Sequence, residues 1–196
     1  MKIHIMTVGA LATNCYIVVS QKGNGFVIDP GDDAREIKAF LSKHHIVAKF
    51  IVNTHGHIDH IKADADLGYP VYAHENEREM ISEPEKNVMT SFYGTFKPVI
   101  PIRLLKDGDT IELDEMVFKV IHTPGHTMGS ICLFGEHVLF SGDTLFKNGV
   151  GRTDIPGSSY ESLQRSLKKL ALLPENVKVY PGHGAQTSLG CEFNHG

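Results

Sequence analysis

Apolar residues in this chain gather in short runs that stop, repeatedly, on a polar or glycine-bearing turn. Asn14 to Val19 and Gly25 to Asp29 are two such runs, and the Gln21-Lys22-Gly23-Asn24 turn between them predicts a hairpin. Asp33 and Glu36 have capping-box spacing, and Ile37, Phe40 and Leu41 supply a helical stripe to about Lys43. Ile46 to Val52 is continuously apolar except at Lys49, the pattern of a strand covered on both faces. Strand, helix and strand in that order predict a β-α-β unit.

Beyond His60 the pattern predicts a short helix over Ile61 to Leu67, closed by Gly68, and then a strand from Pro70 to Ala73. Glu75 to Pro101, with Pro84, Gly94 and Pro98, shows no period. Strands follow at Met116 to Ile121, Ser130 to Phe134 and Val138 to Phe140. A helix begins at Ser158, with Glu161 at capping-box spacing and a stripe of Leu163, Leu167 and Leu170; Val177 to Tyr180 is the last strand. Strands and then a helix, twice over, predict a layered α/β (α+β) sandwich of two sheets flanked by helices. No low-complexity linker divides the halves, so residues 1–196 are expected to form a single domain.

Composition narrows the partners. At 41% apolar and 21% charged residues the 196-residue chain is ordinary for a globular protein. A net charge of −4 without any Lys/Arg run speaks against nucleic acid, and no stretch approaches the ~20 apolar residues of a membrane span. Met1 to His4 runs straight into strand-like sequence without a signal-peptide core, which predicts a cytoplasmic protein acting on a small molecule. Cys15, Cys132 and Cys191 are scattered, giving neither a disulfide framework nor a thiolate metal site.

Histidine changes the picture. Four apolar runs end beside a ligand-type residue and a glycine: Phe50 to Val52 before Thr54-His55-Gly56-His57, Phe118 to Ile121 before Thr123-Pro124-Gly125-His126, Val138 to Phe140 before Ser141-Gly142-Asp143, and Val177 to Tyr180 before Pro181-Gly182-His183. Neighbouring strands would bring these ends together at one edge of a sheet. The densest piece, His55-Gly56-His57-Ile58-Asp59-His60, mixes imidazole with carboxylate, a donor set that suits zinc, iron or manganese rather than magnesium or calcium. His4, His44, His45, His74, His137 and His195 lack such company and are read as surface or structural. His122, just before Thr123-Pro124, is read as structural or as a donor behind the ligands.

HxHxDH followed by His126, by Ser141-Gly142-Asp143-Thr144 and by Pro181-Gly182-His183-Gly184 resembles the metallo-β-lactamase superfamily, and the resemblance spans nearly the whole chain, including Thr13-Asn14-Cys15-Tyr16 and Ile28-Asp29-Pro30-Gly31. It implies a four-layer αββα fold holding two divalent transition-metal ions, zinc foremost. One ion would take His55, His57 and His126, the other Asp59, His60 and His183, with Asp143 touching both. Two such ions lower the pKa of a shared water enough to supply hydroxide near neutral pH, and Asp59 could also orient it as the catalytic carboxylate.

Within the superfamily, Ser141-Gly142-Asp143-Thr144-Leu145-Phe146 with Gly149-Val150-Gly151-Arg152 is most similar to the hydroxyacylglutathione hydrolases, the glyoxalase II family. That likeness implies cleavage of an anionic thioester such as S-lactoylglutathione, with Arg152 contacting the anionic part. Arg152 and Asp154 fit a structural ion pair equally well. The chain ends soon after His183, so the C-terminal helical substrate domain of that family is expected to be absent. Gly151-Arg152-Thr153-Asp154 also resembles the persulfide dioxygenases, which use one iron, and hydrolysis of another ester, lactone or phosphodiester stays open.

Overall fold

The structure, a computed structural model, describes residues 1–193; His195 lies outside the described residues. Six strands, β1 (Lys2–Val8), β2 (Thr13–Val19), β3 (Asn24–Ile28), β4 (Val47–Val52), β5 (Val71–His74) and β6 (Ile102–Leu105), form one sheet in that order. The predicted hairpin is β2–β3, with Tyr16 opposite Ile28, and helix α1 (Ala34–Lys43) completes the β-α-β unit by making β4 parallel to β3. The chain continues through β7 (Thr110–Leu113), β8 (Met116–His122), β9 (Ile131–Gly135), β10 (Val138–Gly142), a small β11 (Leu145–Phe146)–β12 (Gly149–Val150) pair, β13 (Lys178–Pro181) and β14 (Thr187–Ser188). The second sheet runs β14-β13-β10-β9-β8-β7.

Strand β2 shows why the sheets stack. Alternate side chains leave a strand on opposite faces, and here both faces are apolar. Tyr16 and Val18 join Phe26 against Phe118, Leu133 and Phe140 of the second sheet, whereas Cys15 and Ile17 turn outward onto Ile37 and Leu41 of α1. Phe26 stacks on Phe50 at 5.1 Å and meets the Phe118 edge at 5.5 Å, so aromatic rings from both sheets interlock at the centre. Behind the second sheet, Leu163, Leu167 and Leu170 of a later helix cover Cys132, Leu139 and Val179. Helix, sheet, sheet, helix is the expected αββα order.

Local expectations needed correction in three places. Asp33 does not cap α1: its backbone is left-handed, at φ 56°, and its carboxylate accepts the Gly9 amide at 2.9 Å. The helix expected over Ile61 to Leu67 is two single turns, α2 (Ile58–Ile61) and α3 (Asp64–Leu67), because the Ala63 amide donates to Pro30 O instead of continuing the ladder. The cap of the late helix falls on Ser159, not Ser158. Glu75 to Pro101, without a period in the sequence, holds only a 3-10 turn at Glu75–Glu77, one at Pro84–Lys86 and two short helices, α4 (Arg78–Ser82) and α5 (Thr90–Tyr93). The late helix is α6 (Tyr160–Leu170), and α7 (Leu189–Phe193) ends the described chain. Among the described residues no helix is long and apolar enough to cross a membrane.

Candidate metal centre

The four strand ends converge, although across both sheets rather than along one. β4 delivers His55 and His57 from the first sheet, α2 adds Asp59 and His60 directly behind them, and β8, β10 and β13 lead to His126, Asp143 and His183 from the second. Their donor atoms fall into three overlapping groups: His55, His57 and His126; His55, His60 and Asp143; Asp59, His60 and His183. All seven residues singled out from the HxHxDH pattern and the later strand ends are therefore in one cluster.

The outward side of each imidazole decides what its inward side can do. Nδ1 of His60 lies 3.0 Å from Asp29 Oδ2, that of His126 3.0 Å from Arg152 O, and that of His183 3.1 Å from Leu11 O. None of those oxygens carries a hydrogen, so each Nδ1 must donate. His55 Nδ1 meets Thr54 Oγ1 at 3.2 Å, and that hydroxyl is already donating to Asp29 Oδ2 at 2.6 Å. When these four imidazoles are neutral, as metal ligands must be, they are held as Nδ1–H tautomers whose bare Nε2 lone pairs point inward.

Inside, those lone pairs face one another. His55 Nε2 and His126 Nε2 lie 3.1 and 3.0 Å from His57 Nδ1, and His60 Nε2 lies 3.3 Å from His183 Nε2. Such N···N separations are close to the ~3.3 Å edge of a tetrahedron with metal–nitrogen bonds of about 2.0 Å. Asp143 spans the two halves, with Oδ1 3.5 Å from His60 Nε2 and Oδ2 3.5 Å from His126 Nε2 and 3.6 Å from His183 Nε2. Its Oδ1 is buried without a hydrogen-bond donor. A buried orphan carboxylate oxygen amid convergent imidazole lone pairs is a cation site by its chemistry, so the residues present fit two transition-metal ions.

Electrostatics divide the site in the same way. Burial, and then the neighbouring imidazoles, push His55 well below the usual histidine range and His57 down to about 3, which keeps both neutral. His60, although burial opposes it, is held up at about 10 by Asp59, Asp143 and Asp29. Three carboxylates around one imidazole make a negative well that a metal cation can fill in place of a proton. Asp59, despite its burial, is held well below the carboxylate range by His60 and His183 and is fully ionised.

Several supporting residues were not assigned a role from the sequence, although Thr13, Asn14 and Asp29 fall in segments that carry the family resemblance. Asp29 accepts the Thr54 amide at 2.7 Å as well as His60, tying the histidine loop to the end of β3. Glu77 is fully buried and accepts the Gly56 amide at 2.6 Å and the Gly129 amide at 2.7 Å. Asn14 donates to Pro181 O and Gly184 O on either side of His183, and Thr13 Oγ1 lies 3.3 Å from Asp59 Oδ2. Glu77 would have been visible only as an acid facing a core, which a linear pattern does not display.

Arg152 sits at the rim and is paired with Asp154 through two bonds of 2.7 and 2.9 Å, both side chains being exposed. His126 Nδ1 meets the Arg152 carbonyl, so the backbone at Arg152 is part of the site whatever its side chain does. His122 does not reach the ligands: its ring stacks on His74 at 3.9 Å, and its Nε2 donates to Met128 O at 2.9 Å. His74 itself is buried, a structural residue as expected.

The sequence profile of the metallo-β-lactamase superfamily matches residues 8–183. The hydroxyacylglutathione hydrolase GloC of Haemophilus influenzae is 32% identical, over 98% of this chain and 95% of that one. The crystal structure of BLEG-1 B3 metallo-β-lactamase superposes with a TM-score of 0.93 at 33% identity, covering 99% and 97% of the two chains. That of TTHA1623 in a di-iron-bound form gives 0.88 at 34%, covering 97% of each. Fold, donor geometry and these likenesses agree: the chain belongs to the metallo-β-lactamase superfamily of metal-dependent hydrolases.

Proposed function

We propose that the protein is a two-metal hydrolase of acyl thioesters, with an anionic glutathione thioester such as S-lactoylglutathione as its substrate class. The observation that carries this reading is the pair of three-residue donor sets, His55/His57/His126 and Asp59/His60/His183, joined by the Asp143 carboxylate. Likeness to GloC supports the substrate class. Two divalent ions held there would acidify a shared water and polarise the thioester carbonyl.

The chain's own residues supply the rest. Asp59 stays ionised; Thr13 Oγ1 donates to its Oδ2, the oxygen that faces His60 and His183 and would serve a metal ion, which leaves Oδ1 to orient the attacking water. Arg152 keeps NH1 free of Asp154 and offers it to the anionic thiol portion. Among the described residues, no cysteine or serine near the cluster is set to form an acyl-enzyme. Cys15 and Cys132 are fully buried, burial pushes the Cys132 thiol up to about 11, and Ser141 Oγ donates to Leu145 O at 2.7 Å. The three unbridged cysteines suit the reducing cytoplasm, where we place the reaction.

A single-turnover reaction in oxygen-18 water tests this. With metal-loaded enzyme in excess over S-lactoylglutathione, label should enter the carboxylate in the first turnover, and chelation should abolish cleavage. The Gly151-Arg152-Thr153-Asp154 segment and its ion pair sustain a second reading, oxygenation of a persulfide at one iron. One iron per chain, oxygen consumption and no thioester cleavage would establish that reading instead.

A further inference from the structure

Beside Asp59 lies a half-enclosed cavity of about 80 Å³. Its wall is the β1–β2 turn, Val8 to Leu11, together with Ile58 and, across the gap, Tyr93 of α5. Lys62 closes the base, already neutralised by Asp32 at 2.9 Å. The surface offered is therefore mainly aliphatic and aromatic, with its one cation matched by an anion.

This turn is built into the metal centre. Leu11 O accepts from His183 Nδ1, Thr13 contacts Asp59, and Gly9 N is pinned by Asp33. Arg152, which is not part of the cavity lining, holds His126 through its carbonyl. A thioester carbonyl placed over the cluster has two substituents, and beside the cluster are an exposed cation, Arg152, and a confined, mainly apolar cavity.

We propose that the cavity between the β1–β2 turn and Tyr93 is the acyl subsite, and that it selects short aliphatic acyl groups while the thiol portion lies towards Arg152. This rests on the thioesterase reading for the identity of the substrate, but not for the existence of the subsite. A volume of about 80 Å³ accommodates roughly three or four heavy atoms, on the order of 25 Å³ apiece, so acetyl, lactoyl and butyryl groups fit and octanoyl does not. Tyr93 is the limiting wall, since it is the only member of the lining contributed by the overhanging α5 segment. Ala10, on the turn, faces the same space with the smallest side chain available to a chiral residue.

The test compares S-acetyl-, S-lactoyl-, S-butyryl- and S-octanoylglutathione with metal-loaded wild type, Tyr93→Ala and Ala10→Leu. Wild type should favour the short acyl groups over octanoyl by at least ten-fold in kcat/KM. Tyr93→Ala should raise octanoyl relative to butyryl by about ten-fold, and Ala10→Leu should slow butyryl about ten-fold more than acetyl. Calorimetric titration of butyrate and octanoate provides a readout that does not need turnover, and the same order of preference should appear there. A flat chain-length profile in wild type, or variants that scale all acyl groups equally, overturns the subsite. If no thioester is cleaved while butyrate binding is still weakened by Ala10→Leu, the subsite stands and the thioesterase reading falls. If butyrate binding is absent or indifferent to both substitutions, the subsite itself is wrong.

Discussion

The Glu77 carboxylate lies 2.6 Å from the amide of Gly56, the residue between His55 and His57, and its other oxygen lies 2.7 Å from the Gly129 amide, three residues after His126. One buried side chain thus clamps the two loops that carry the His55/His57/His126 set. Both partners are glycine for a steric reason: a Cβ at Gly56 would stand 2.7 Å from Glu77 Oε2, and one at Gly129 would stand 2.6 Å from Glu77 Cγ. Glu77→Gln keeps the shape but turns an NH2 towards one of those amides, which leaves a buried donor unmet at a cost of about 1–3 kcal/mol. Urea unfolding should show that loss. Elemental analysis after dialysis against graded chelator should show affinity at this set weakened ~10–100-fold, the usual effect of losing an outer partner. Unchanged stability and metal retention would mean that the loops hold themselves.

Among the described residues Asp143 is the one carboxylate in contact with both donor sets, through Oδ1 to His60 and Oδ2 to His126 and His183. Without its charge, two divalent ions at the ~3.5–4 Å spacing of two-metal sites would repel each other with little between them. Asp143→Asn should therefore lower metal content from about two ions per chain to below one, while the thermal transition of the metal-free protein hardly moves. A variant that kept both ions would show that Asp143 does not join the two sets.

The cap of α6 separates what a linear pattern reveals from what it conceals. Serine, then glutamate three residues on, correctly announced a helix there, but Ser159 Oγ accepts the Ser162 amide at 3.2 Å, whereas Ser158 Oγ donates to Ile155 O. Ser159→Ala should cost ~1 kcal/mol, and Ser158→Ala less than half of that. Denaturant midpoints of the two variants decide the matter; equal losses would remove the distinction.

Much of the molecule was legible because its signals are local. Leu163, Leu167 and Leu170 repeat at helical spacing and pack as one stripe, and the run from Ile46 to Val52 became β4, with Phe50 and Val52 buried on one face and Ala48 and Ile51 on the other. The ligands were legible because His55 to His60 places four donors within six residues and every later donor follows a strand end beside a glycine. Contacts between distant segments left no such trace. Asp29 reaches His60 across 31 positions and Glu77 reaches Gly129 across 52. The split between α2 and α3 depends on a carbonyl of Pro30 lying far back in the chain. β6 and β7 escaped notice because they are four-residue edge strands with largely exposed faces, which carry little periodicity.

Asp64 tests whether a buried acid without a counterion behaves as its surroundings require. The residue is 1% exposed, its Oδ1 accepts from Asn53 Nδ2 at 3.3 Å, and both its Oδ2 and Asn53 Oδ1 are buried without partners. Burial pushes its pKa well up, the Asn53 bond opposes this, and Asp29 adds to the rise. The folded state thus holds the proton more tightly than the unfolded chain, whose aspartates titrate near ~3.9. For a raised acid, the stabilisation is complete below that unfolded value and drains away as pH rises through the folded one, at up to ~1.4 kcal/mol per pH unit. Asp64→Asn has nearly the same shape and does not titrate. Urea unfolding of wild type and variant at pH 5, 6.5 and 8, at fixed ionic strength, cancels every other titrating group common to both. The stability of wild type relative to Asp64→Asn should be lower at pH 8 than at pH 5. Parallel curves would show that Asp64 titrates alike in both states and that its burial is relieved by something other than a proton.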